Sequence, residues 1–174
     1  SFFEKKTDIR KIEKKIGFKI STNQNFIEYS ELGLNYLDRI SKIIKKNTGG
    51  LLLIDYGYLD EKMKNTLQAV SNHKFANILE NIGKVDITHN VNFNLFRKFI
   101  KKLGGLENSL ATQKEFLIKM GIKDRAEIIS KNETFSKKAE IFYRIKRLID
   151  EKQMGSLFKV MLVKNKNNKF NLGY

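Results

Sequence analysis

The chain has 174 residues, a formal charge of +15, 41% hydrophobic and 11% aromatic residues, enough apolar content for one packed domain and too much for a disordered chain. No apolar run approaches the roughly 18–20 residues of a membrane-crossing helix, and the lack of cysteine excludes a disulfide framework and a thiolate metal site, as expected in a reducing compartment. The basic excess invites a nucleic-acid reading. Outside Arg10, Arg39, Arg97, Arg125, Arg144 and Arg147, however, it is all lysine, spread along a chain that is rich in Asn and Ile and lacks Pro and Trp. An AT-rich coding sequence produces that pattern.

Residues 1–29 are hard to read: "EKKTDIRKIEKK" is charged with sparse apolar positions, and "FKISTNQNFIEY" is expected to supply short strands. From Ser30 the pattern sharpens. Leu34, Leu37, Ile40 and Ile44 recur at helical spacing, lysines crowd the last turn, and Gly49 and Gly50 are expected to end the helix. Leu51–Ile54 is an apolar run without alternation, the form of a strand buried on both faces. Further on, Phe96, Phe99, Ile100 and Leu103 predict a helix capped by Asn92 and stopped at Gly104. Thr112 and Glu115 form a capping-box pattern, and Asp124 is expected to open the next helix. A longer helix follows with Ala139, Phe142, Ile145 and Ile149 inward, then a strand over 157–163 and a polar basic tail over 164–174. Two strong strands do not make an independent sheet, so the order helix, strand, helices, strand reads as the back part of an α/β fold.

Ligands of open α/β sheets bind at the carboxyl ends of the strands. Asp55, Tyr56 and Gly57 are expected there, at the exit of the 51–54 strand; Asp55 serves equally well as a simple helix cap. His73 and His89 are the only histidines, too few and too poorly spaced for a metal site. His73 suits an acid/base role or an ordinary polar contact. Asp86 and Thr88 flank an apolar residue and read as a reactive pair or as a loop-ordering turn. No dinucleotide or Walker-type phosphate loop is present.

In order, "GGLLLIDYGY", "TLQAVSNHK", "GKVDITHNVNF", "TQKEFLIKMGI" and "MGSLFKVML" resemble the C-terminal half of the MidA family, from about Phe26 to Val163. These are S-adenosylmethionine-dependent methyltransferases, and their mitochondrial member dimethylates an arginine of a respiratory complex I subunit. The resemblance implies a Rossmann-like class I methyltransferase sheet with added helices. It implies a protein substrate with a target arginine, and a cytoplasmic location in bacteria or the mitochondrial matrix in eukaryotes. Asp55, Tyr56, His73 and Asp86 then match candidate catalytic positions, with Gly57, Thr88 and Gln113 on the substrate side. The family's glycine-rich turn, its acidic residue after the second strand and its Asn-Glu-Phe-Phe-Asp-Ala-Leu-Pro segment do not occur here. The 174 residues are therefore expected to be the C-terminal portion of one methyltransferase domain, without its cofactor-binding half. Gln68 and Asn92 stand where the family often has arginine and aspartate. The competing expectation is a non-catalytic basic module for nucleic acid or for assembly.

Overall fold

The computed structural model describes residues 5–72, 74–80, 83–171 and 173–174. Helix α1 (Ile9–Ile16) forms where the apolar pattern is weakest, because its ends are well specified: Asp8 accepts from the Arg10 amide and Gly17, at φ 79°, terminates it. Glu13 then organises the following loop, accepting from the Ile20 amide, the Ser21 amide and the Ser21 hydroxyl at 2.7–2.9 Å. Residues 18–29 run as loop and turn, not as the expected strands.

Helix α2 (Glu31–Asn47) is capped by Ser30 and buries Leu34, Leu37 and Ile44. Its stop is Thr48 in a left-handed conformation, φ 55°, and not the two glycines. Gly50 already belongs to β1 (Gly50–Tyr58), which is nine residues long. Short strands β2 (Gln68–Ser71), β3 (Lys74–Ala76), β4 (Asp86–Thr88) and β5 (Val91–Asn92) follow, then α3 (Phe93–Leu103) and β6 (Leu106–Thr112). The chain continues through α4 (Gln113–Lys119), α5 (Ile122–Ser130), α6 (Phe135–Ile149), the single turn α7 (Met154–Leu157) and β7 (Phe158–Asn165).

One sheet has the order β5-β1-β7-β6, with β5 parallel to β1 and β7 antiparallel to both its neighbours. A second, antiparallel sheet has the order β3-β2-β4. Mixed strands packed by helices are the α/β class expected. Leu51 and Leu53 of β1 join Met161 and Val163 of β7 against Leu34, Leu37, Phe93, Phe99 and Ile100 of α2 and α3. Each such fully buried large side chain contributes about 1.5–3 kcal/mol.

The opposite side of β1 is open. Leu52, Ile54 and Tyr56 are 47%, 48% and 45% exposed, so the expected burial on both faces is not met within this chain. The reason lies in layering, since α2 and α3 pack on the face that carries Leu51 and Leu53, and one edge of the strand is open as well. Strand β7 lines one edge over Gly50–Tyr56, whereas β5 meets the other edge only at Gly57 and Tyr58. Because Asn165 donates to the Gly49 carbonyl, the Gly50–Lys164 pair is a non-hydrogen-bonded one, and the amides of Leu52, Ile54 and Tyr56 face the unpaired edge.

Asn92 caps α3 by accepting from the Leu95 amide at 2.9 Å, and the Thr112–Glu115 capping box is complete. Helix α5 begins two residues before Asp124, after Gly121 at φ 76°, which leaves Asp124 inside the first turn. Ala139 and Phe142 of α6 are exposed, and Ile141, Ile145, Leu148 and Ile149 are the more enclosed residues. This helix packs on α4, α5 and α7 and not on the sheet, which rotates its inner face away from the expected one.

Strand β7 runs past the expected end at Val163, and Lys164 and Asn165 are buried. Asn165 Nδ2 donates to the Lys45 carbonyl and Asn168 Nδ2 to the Thr48 carbonyl, both at 3.0 Å. The first residues of the polar basic tail are thus held against the end of α2, where helix carbonyls lack internal partners.

Candidate active site at the end of the central strand

Strand β1 does not stop at Asp55. It continues through Asp55, Tyr56 and Gly57 to Tyr58, which moves the carboxyl end of the strand four residues beyond the expected end at Ile54. The loop that follows, residues 59–64, separates two cavities. Leu59, Asp60 and Lys64 line the larger, of about 830 Å³, together with Gly57, Tyr58 and Lys159. Glu61, Lys62 and Met63 line the smaller, of about 270 Å³.

The larger cavity holds the charged groups. Lys64 Nζ lies 2.6 Å from Asp60 Oδ2 and 5.3 Å from the centre of the Tyr58 ring, a cation–π arrangement. The Lys64 amide donates to the Tyr58 hydroxyl at 3.2 Å, which fixes the loop against the strand end. The hydrogen bond from Lys64 holds the Asp60 carboxyl below the usual carboxylate range. Burial pushes the Lys159 ammonium down, and nearby Asp60 opposes that shift. Glu151 closes another wall of the cavity and pairs with Lys114 at 2.5 Å. The lining carries three ammonium groups, Lys64, Lys152 and Lys159, against two carboxylates, Asp60 and Glu151, so a planar cationic group binds Asp60 here only by displacing Lys64 from it.

The residues expected from sequence are distributed differently. Gly57 lies on the cavity wall, and its lack of a side chain is required: a Cβ there would sit 2.5 Å from the Val91 carbonyl oxygen and 2.6 Å from the Phe93 ring. The Tyr56 ring is on the open face, 4.1 Å from that of Phe158. Asp55 is exposed within the strand, and its Oδ1 accepts from the Tyr56 amide at 2.8 Å. Asp86 and Thr88 lie on the other sheet, in β4, where the Thr88 hydroxyl accepts from Gln68 Nε2 at 3.1 Å. Asp55 and Asp86 belong to different sheets, and neither lines the larger cavity. Gln113 is buried, with Nε2 donating to the Leu148 carbonyl at 2.8 Å, and it ties α4 to α6. His73 lies outside the described residues. Asp60, Lys64 and Lys159 carry no motif. The i, i+4 spacing of Asp60 and Lys64 was the one available signal, and it has meaning only once the strand is known to end at Tyr58.

This mixed sheet, with its crevice at the carboxyl end of β1, has the Rossmann-like methyltransferase fold. Two crystal structures of related proteins from Burkholderia thailandensis share it. One, at TM-score 0.70 and 19% identity, matches 87% of this chain and 43% of its own; the other, bound to S-adenosyl-homocysteine, matches 83% and 38% at TM-score 0.65 and 21% identity. More particularly, residues 3–111 match the family described as "Putative S-adenosyl-L-methionine-dependent methyltransferase", and the chain belongs to that family. It is similar to the mitochondrial protein arginine methyltransferase NDUFAF7 of Xenopus tropicalis, 28% identical over 73% of this chain and 29% of the relative. The same protein of Danio rerio is 28% identical over 74% and 30%. The chain thus spans about three tenths of the length of these curated relatives. No helix among the described residues is long and apolar enough to cross a membrane.

Proposed function

We propose that this chain is the substrate-side portion of an S-adenosyl-L-methionine-dependent protein arginine methyltransferase. Residues 1–174 form the C-terminal part of one methyltransferase domain, and Asp60 receives the target guanidinium. The observation that carries this reading is the charged crevice at the carboxyl end of β1, next to a strand edge that is left unpaired over Gly50–Tyr56. Family membership and the arginine methyltransferase relatives support the same conclusion.

The glycine-rich turn with which the family holds the methyl donor does not occur in the sequence, and Gly57, the glycine at the strand end, is backed by the Val91 carbonyl and the Phe93 ring. The cofactor belongs to the remainder of the domain, which meets the open edge of β1. On this side of the crevice the work is positioning. Asp60 exchanges its bond to Lys64 for paired bonds to a guanidinium, and its negative charge offsets that of the arginine while the reacting nitrogen is aimed. Asp55 and Tyr56 sit on the open edge, where the other wall of the crevice meets this one. The substrate class is a protein arginine, and a complex I subunit is the member of that class that the family resemblance implies. In a eukaryote the same reading places the protein in mitochondria.

The test is transfer of an isotopically labelled methyl group from S-adenosylmethionine to arginine by the intact protein. Asp60→Asn should lower turnover by about tenfold or more, the effect of losing a charge-assisted contact, with the melting temperature unchanged because the side chain is exposed. Full activity of Asp60→Asn, or label appearing on a residue other than arginine, would overturn the proposal.

A further inference from the structure

The smaller cavity is lined by two largely buried asparagines, Asn92 and Asn94. Asn94 is 2% exposed and faces this cavity. Its Oδ1 accepts from Arg97 Nη2 at 2.7 Å, and since a guanidinium only donates, this contact fixes which end of the amide is which. Nδ2 therefore points the other way, and it meets no acceptor among the described residues. Neither is it sealed in, because the sealed, unpartnered side-chain atoms among those residues are Ser41 Oγ and Tyr174 Oη. Asn92 repeats the arrangement. It lines the same cavity, its Oδ1 is fixed by the Leu95 amide, and its Nδ2 also has no acceptor among the described residues. Both asparagines line the cavity and neither amide nitrogen is taken by the protein, so an acceptor that enters it meets two uncommitted donors.

The charge around the cavity selects among acceptors. Lys19, Lys62 and Lys98 line it against a single carboxylate, Glu61, which lies 3.8 Å from Lys98 Nζ. The first turn of α3 adds the positive end of a helix. We infer that this cavity binds a carboxylate side chain of an acidic segment in the protein substrate, held by the Nδ2 groups of Asn92 and Asn94 inside a lysine rim. The inference rests on the arginine methyltransferase reading for the identity of the occupant. The 59–64 loop contributes to the lining of both the cavity and the crevice, so the acidic residue and the target arginine belong to one peptide segment.

The test uses the intact protein and two fluorescein-labelled peptides, one carrying glutamates beside a single arginine and one with glutamine in their place. Fluorescence anisotropy should show the acidic peptide binding about tenfold tighter or more. Asn94→Asp and Asn92→Asp each keep the acceptor oxygen that Arg97 or the Leu95 amide needs and remove the donor. Each should abolish the preference without changing the thermal melt, and Lys62→Gln on the rim should weaken it. Equal binding of the two peptides, an unchanged preference in both aspartate variants, or complete displacement by sub-millimolar inorganic phosphate would overturn the assignment. Methylation of the same peptides separates the two proposals. Arginine methylation without an acidic preference sinks the cavity alone, and tight acidic binding without methylation sinks the methyltransferase reading alone.

Discussion

Glu13 shows how much a single side chain can organise. Three hydrogen bonds, led by the one from the Ser21 hydroxyl, stabilise its ionised form and hold its carboxyl below the ordinary value of 4.5. A carboxyl whose folded value is depressed stabilises the fold above the unfolded value, and that contribution disappears as the pH falls through the folded one. Glu13→Gln should therefore melt at a lower temperature than the parent at neutral pH. The gap should close progressively below pH 4.5, and thermal melts across that range measure it. A gap that stays constant with pH would show that the carboxylate charge is not what matters. Residues of this kind were unequally legible. The caps Asn92 and Thr112 announce themselves by type and spacing, because a cap bonds to its own chain. Asp60 does not, because its role depends on where β1 ends and on what lies across the loop. Asn92 was legible as a cap, but the free half of its amide becomes visible only when Asn94 is seen beside it.

Helices were read more accurately than strands. The apolar spacing of α2 and α3 locates both elements and their buried faces, since each packs one stripe on the sheet. Strand β1 is placed correctly and cut short, because Asp55 looks like an end; in the structure its side chain engages the neighbouring amide on an unpaired edge. The strands β2, β3 and β4 are three or four residues long and half exposed, which leaves no periodicity to detect. Helix α6 misleads for the opposite reason, having apolar residues around most of its circumference. Gln113 links the helices that sequence could not arrange. Its role here is to satisfy the Leu148 carbonyl at the end of α6, so Gln113→Leu should destabilise the fold by about 1–3 kcal/mol. Denaturant unfolding would measure that loss, and the KM for an arginine peptide should not move. A large KM change at unaltered stability would restore Gln113 to the substrate site.

The α/β class could be read from the alternation of elements, and so could the impression of an incomplete sheet. What one sequence could not supply was the pairing order β5-β1-β7-β6, since antiparallel insertion of β7 between β1 and β6 is set by long-range contacts. That order leaves β1 with an apolar face carrying Leu52, Ile54 and Tyr56, and with backbone groups unpaired on one edge. Exposed strand edges invite pairing with further chain. Several of the lysines are engaged in surface pairs such as Lys42–Asp38 and Lys137–Glu133. Amide hydrogen exchange on the intact protein, resolved at β1, tests the central claim most directly. If β1 is an interior strand of a methyltransferase sheet, the amides of Leu52 and Ile54 should exchange as slowly as those of Leu51 and Leu53, which already face β7. Exchange at Leu52 and Ile54 at the rate of an open chain, with Leu51 and Leu53 protected, would contradict it.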